Sequence, residues 1–156
     1  MEVLPLAVGE DGIVLYLLRG MAIQVGWHAR KHPNEVACAV AGEFALPPIV
    51  AHSTSWRHEP AKLIVTYATI VEPPPELPPM LTVRPVGRTE LARGTATAPP
   101  KAIGVEAVVE HALRHLAWLQ RDDDHIRAAL PETWVEALAP FPPEPFRAFE
   151  GEWAER

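Results

Sequence analysis

The sequence predicts an α+β fold: a mainly antiparallel sheet with one early helix and a C-terminal helical segment packed on it. Three stretches carry that expectation. Residues 49–71 read as two runs rich in Val, Ile, Thr, Tyr and Trp around a short connection, which is a hairpin signal. Residues 34–44 are alanine-rich, with Val36, Val40 and Phe44 at helical spacing behind Pro33. Residues 105–121 place Val105, Val108, Val109, Ala112, Leu113, Leu116 and Leu119 on one stripe.

Taken in order, residues 2–8 and 13–18 read as strands separated by the turn Gly9-Glu10-Asp11-Gly12. The unbroken Ile13-Val14-Leu15-Tyr16-Leu17-Leu18 run suits a strand buried on both faces. Residues 21–27 alternate weakly and form a third candidate strand. A strand competes with a helix over 34–44; the alanines and Pro33 decide for the helix. Leu46-Pro47-Pro48 stops it and feeds the hairpin.

If His58-Glu59-Pro60-Ala61 is the loop, Arg57 pairs with Lys62, Thr54 with Val65 and His52 with Tyr67. Alternation then puts His52, Thr54, Trp56 and Tyr67 on one face. The smaller set, Ser53, Ser55, Thr66 and Ala68, is expected beneath a helix. A one-residue slip exchanges the faces that the two strands share.

Residues 72–79 carry five prolines and read as a stiff crossing; 81–86 form a short edge strand. The long irregular stretch 87–101 holds Arg88, Arg93 and Lys101. On the helix that follows, Glu106, Glu110, Arg114 and Arg121 are expected on the wet side, with Glu110 and Arg114 spaced for an i, i+4 pair. His111, His115 and Trp118 lie on the flank between the wet and apolar faces. Asp122-Asp123-Asp124 ends the helix and offers an N-cap to residues 125–130; Pro131 opens a further short helix to Ala139. Phe141 and Phe146 in the tail are expected to pack down. The expected organisation is a single domain, 1–156: sheet-rich 1–86, loop 87–101, helical 102–139 and an extended Pro-rich tail 140–156.

Composition narrows the function. A chain of 156 residues, 48% hydrophobic, can bury one core. The formal charge of −6 and the lack of a basic cluster argue against nucleic-acid binding. No apolar run approaches eighteen residues and no basic, apolar leader precedes the first strand, so a cytoplasmic protein without membrane contact is expected. The one cysteine, Cys38, excludes an internal disulfide and a Cys-based zinc cage, and its alanine neighbours suit packing better than catalysis.

The chemistry-bearing residues are few. His111 and His115 have the spacing of two ligands to one metal, but Ala112-Leu113-Arg114 between them is not a zinc-protease signature. A metal would need a third ligand such as His52, Glu106 or His28, and the expectation is no metal and no cofactor. Ser53 and Ser55 alternate away from His52 and have no Gly-x-Ser-x-Gly elbow, which argues against a serine hydrolase. No phosphate-binding glycine loop is present.

The run His-Ser-Thr-Ser-Trp-Arg (52–57), then Leu-Ile-Val-Thr-Tyr (63–67) and Glu-His-Ala-Leu-Arg-His-Leu-Ala-Trp-Leu (110–119), resembles a small family of uncharacterised bacterial proteins over roughly residues 27–140. That resemblance implies no established activity or site. The layout of strands and helices is also loosely similar to Nudix hydrolases, whose Arg-Glu-x-x-Glu-Glu core is missing here, so their catalysis is not implied.

The expectation that follows is a small polar or anionic ligand at a cleft of His52, Thr54, Trp56, Tyr67, His111, His115 and Trp118, with catalysis left open. The bland reading is that these side chains satisfy one another in a packed core. The competing class is an interaction or structural module, whose partner is a protein or a second copy in a homodimer.

Overall fold

The computed structural model describes residues 1–28, 30–59, 61–91 and 103–145. Among the described residues six strands and four helices form, most of them close to where periodicity placed them. β1 (Glu2–Gly9) and β2 (Gly12–Leu18) form the first hairpin, with Gly12 at φ +117° in a conformation that a side chain would strain. β3 is only Ile23–Gln24, so the weakly alternating 21–27 run forms a strand over two residues. α1 (Pro33–Glu43) is the early helix; His32 caps it by accepting the Asn34 N–H at 3.3 Å. β4 (Pro48–Glu59) and β5 (Lys62–Val71) make the central hairpin, and β6 (Leu81–Pro85) the last strand. α2 (Val105–Asp122), α3 (Asp124–Ala129) and α4 (Glu132–Leu138) complete the chain. Asp123 does cap α3, accepting the N–H groups of His125 and Ile126.

The strands form one mixed, mostly antiparallel sheet in the order β4-β5-β1-β2-β6, with β3 beside the start of β1. Among the described residues the single parallel pair is β1 with β5. β1 lies at the centre, and its run from Glu2 to Ala7 is buried. The proline-rich 72–79 segment carries the chain from β5 to β6 at the far edge, across the end of the sheet.

Helices cover both faces. Leu4, Leu6, Leu15, Ala68 and Ile70 meet Val109, Leu113 and Leu116 of α2, with Trp134 of α4 and the buried Phe141 completing that core. On the opposite face Val3 and Tyr67 pack with Ala37 and Val40 of α1, and Ala7 and Tyr16 with Ala41 and Leu46. Alternation along β1 explains the division, since even positions face α2 and odd positions face α1. Phe146 and most of the 87–101 loop lie outside the described residues.

The hairpin register differs from the one expected. Glu59 pairs with Lys62, so the turn is two residues, with Ala61 at φ +65°. Pairing also slips between Ser53 and Ser55: Ser53 opposes Tyr67 and Ser55 opposes Thr66, leaving Thr54 as the extra residue of a β-bulge. One extra residue inverts the alternation. His52 therefore opposes Ala68 on the α2 face, while Ser53, Trp56, Val65 and Tyr67 belong to the α1 face. The expectation that His52 and Tyr67 share a face is overturned, and Ser53 and Ala68 part company for the same reason.

Candidate functional site

α2 lies along β4 with its intermediate flank turned to the hairpin. His115 stands with its ring centroid 5.6 Å from that of His52, and on its other side stacks on Trp118, also at 5.6 Å. His111, one turn back, places Nε2 3.2 Å from the carbonyl oxygen of Thr54. The bulge makes this contact: it turns a β4 carbonyl out of the ladder toward the helix. Thr54 itself is fully buried and its Oγ1 hydrogen donates to the Thr66 carbonyl.

Of the seven residues expected to form the site, five thus gather at the β4–α2 seam: His52, Thr54, His111, His115 and Trp118. Tyr67 does not; it is buried beside α1, where its hydroxyl bonds to Ser53 and burial raises its pKa. Trp56 is also on that side, lining a surface hollow with Val65 and Leu63.

Proton positions at the seam follow from the partners. A carbonyl oxygen can only accept, so His52 Nδ1, 2.7 Å from the Ser53 oxygen, carries a hydrogen. His111 Nε2 carries one by the same argument. In the neutral rings, His52 Nε2 and His111 Nδ1 are then the acceptors. His115 is 3% exposed, and its pKa is driven from 6.5 to about 4. Burial is the main cause, followed by the nearness of His52 and His111; a backbone hydrogen bond with Glu144 opposes them. His115 is therefore a neutral imidazole at physiological pH. Asp123, at the end of α2, is close enough for its charge to interact with that of His52.

Two further clusters were not anticipated as such. Glu110 is fully buried rather than on the wet side. Its carboxylate accepts from Arg114 Nε at 2.8 Å, Arg88 Nε at 3.0 Å and the Thr89 N–H at 3.2 Å. Burial alone pushes this carboxyl up, but the two arginines and the N–H group hold it below the usual range. The expected i, i+4 pair with Arg114 is present; Arg88, from the loop ahead of the helix, is what closes over it. Arg88 also lies over the Phe141 ring, 5.1 Å from its centroid, and donates to the Pro140 carbonyl.

Glu2 is the second. It takes a two-pronged pair from Arg57 at 2.9 and 3.0 Å and a hydrogen bond from Thr66 at 2.9 Å. Burial opposes its ionisation, and Arg57 nevertheless keeps the carboxyl below its ordinary pKa. A buried acid at position 2 and an arginine 55 residues later give no periodic signal. Only the strand order brings them together.

Among the described residues, no group of three or more His, Cys, Asp or Glu side chains is arranged to hold a metal ion. Glu106, considered as a third ligand, pairs instead with Arg84. Cys38 is half-buried on α1, and burial raises its thiol pKa, away from nucleophilic reactivity. No helix among the described residues is long and apolar enough to cross a membrane. Compared with known proteins, the chain matches no family model, no curated protein and no solved structure.

Proposed function

We propose that this protein binds a small polar molecule rich in hydrogen-bond donors at the β4–α2 seam. One observation carries the reading: α2 sets His115 between His52 and Trp118 and points His111 at the Thr54 carbonyl, so three imidazoles and an indole gather where a strand and a helix could have packed with aliphatic side chains. His52, His111 and Trp118 are half-buried and form the rim; His115 is the floor.

A surface hollow also lies by Trp56, Leu63 and Val65, but its walls are mainly apolar and offer a polar ligand little. Chemistry therefore favours the seam over that hollow. Its electrostatics also choose among ligands. His115 resists protonation, the neutral His52 ring presents Nε2 as an acceptor, and Asp123 adds negative charge nearby. An amine, amide or polyol suits these groups better than an anion, and Trp118 supplies a flat wall that also attracts cations.

The test is an NMR titration at neutral pH with ethanolamine and, separately, inorganic phosphate, following the His52, His115 and Trp118 ring signals. The reading expects ethanolamine to shift these rings and the His52→Ala variant to lose the response with its melting temperature nearly unchanged. Tyr67→Phe, altered on the other face of the sheet, should respond like wild type. Rings that ignore ethanolamine, or that respond only to phosphate, contradict it.

A further inference from the structure

The three rings of the seam do not share protons equally. His52 and His115 stand 5.6 Å apart between centroids, too close for both to carry a charge without strong repulsion. His115 is the buried one and stays neutral down to about 4, so a first proton goes to the rim. Of the two rim rings, His52 has an acid near it: its charge interacts with that of Asp123, at the turn from α2 into α3. His111, one turn back on α2, meets the Thr54 carbonyl instead.

The other elements packed on β4 leave that balance in place. Across the hairpin His52 faces Ala68 of β5, and α1 packs on the opposite face of the sheet. From α3, His125 interacts with Asp123, while Arg127 is tied to Asp124 and to the carbonyls of Gln120 and Arg121.

The tautomer makes a proton on His52 decisive. Its Nδ1–H donates to the Ser53 carbonyl at 2.7 Å, so Nε2 is the ring atom left to take a proton. The same nitrogen is the acceptor that the neutral ring offers a ligand. Protonation turns it into a donor, places a positive charge at the rim and offsets the charge of Asp123. An amide or a hydroxyl can reverse its role and accept from the new N–H; an ammonium group has only donors.

We propose that the seam takes a protonated primary amine and that a single proton on His52 releases it, so that binding is gated by pH. The inference rests on the seam being the binding site, as proposed above. One proton and one ligand compete for one nitrogen, so Kd should rise about tenfold for each pH unit below the midpoint at which His52 protonates. The linkage is reciprocal: ethanolamine at about ten times its Kd should lower that midpoint by about one pH unit.

The test is an NMR titration of the full wild-type chain with ethanolamine at steps from about pH 8 to about pH 5, where the ligand stays an ammonium ion and His115 stays neutral. Ring ¹⁵N shifts report the protonation of His52 and His111 separately in the same samples. The proposal expects Kd to rise in step with protonation of His52, and the His52 midpoint to fall when ligand is added. His52→Gln keeps an acceptor oxygen without a titrating ring, so whatever its affinity at pH 8, its Kd should stay level; if it binds too weakly to read, the wild-type linkage decides alone. Affinity that holds constant while His52 titrates overturns the gate and leaves the seam as a binding site. So does a loss that follows His111, or a His52 that stays neutral throughout. Absence of binding at every pH is a different result, because it removes the binding site and the gate together.

Discussion

Replacing Glu110 by alanine removes the acceptor on which Arg88, Arg114 and the Thr89 N–H converge. The cost can be bounded from the surroundings. Arg114 is 15% exposed and, among the described residues, keeps the Glu144 carboxylate at 3.1 Å; Arg88 is 42% exposed and can recover water. Removing one partner of a buried ion pair costs about 3–5 kcal/mol, and the accessibility of Arg88 puts this case at the lower end, about 3 kcal/mol. For a chain of this size that lowers the melting temperature by about 6–12 °C. Glu110→Gln keeps the shape and one acceptor oxygen and should cost about half as much. The pH dependence has a definite sign. The folded-state pKa lies below the ordinary 4.5, so the stabilisation is complete above that value and is lost as pH falls through the folded pKa. The gap between wild type and Glu110→Gln should therefore be widest near neutrality and close in acid. Urea and thermal unfolding measure both. A Glu110→Ala variant within about 1 kcal/mol of wild type refutes the reasoning.

Three other outcomes follow from the same geometry. His115 has a folded pKa of about 4 against 6.5, so protonation favours the unfolded chain; about 3 kcal/mol of stability should be lost between those pH values, and His115→Phe should remove that component of the slope. Arg57→Ala strands the buried Glu2 carboxylate and should cost about 3 kcal/mol by urea unfolding, with Glu2→Gln added in the same chain recovering part of it. Ala61→Gly should stabilise by about 0.5–1 kcal/mol, since alanine at φ +65° is strained and glycine is not; a loss of stability there would show that the turn has a different conformation.

Much of the fold was legible because it rests on periodicity. The 105–121 stripe, the Ala-rich 34–44 segment, the Asp123 cap and the first two strands are local signals, and each reappears close to its place. The site was legible in its helical half for the same reason: residues 111, 115 and 118 share a flank wherever the helix docks. The hairpin half was not. Thr54 sits in a bulge that no composition rule marks, and one extra residue sends Trp56 and Tyr67 to the face opposite His52. Glu110 was expected on the wet side because a charged residue off the apolar stripe normally faces solvent. Its burial depends on Arg88, which comes from an irregular segment without a period. The Glu2–Arg57 pair required knowing that β1 lies beside β5 in parallel, a fact of topology that no segment encodes alone.

The measurement that bears most directly on the seam is the long-range ¹H–¹⁵N spectrum of the histidine rings, followed from pH 7 downward. His52 should appear as the Nδ1–H tautomer and His111 as the Nε2–H tautomer, and His115 should stay neutral until the pH nears 4. A His115 that titrates near 6.5, or a His52 ring protonated on Nε2 alone, would mean that the three rings do not meet as described, and the acceptor-lined seam would fall with them.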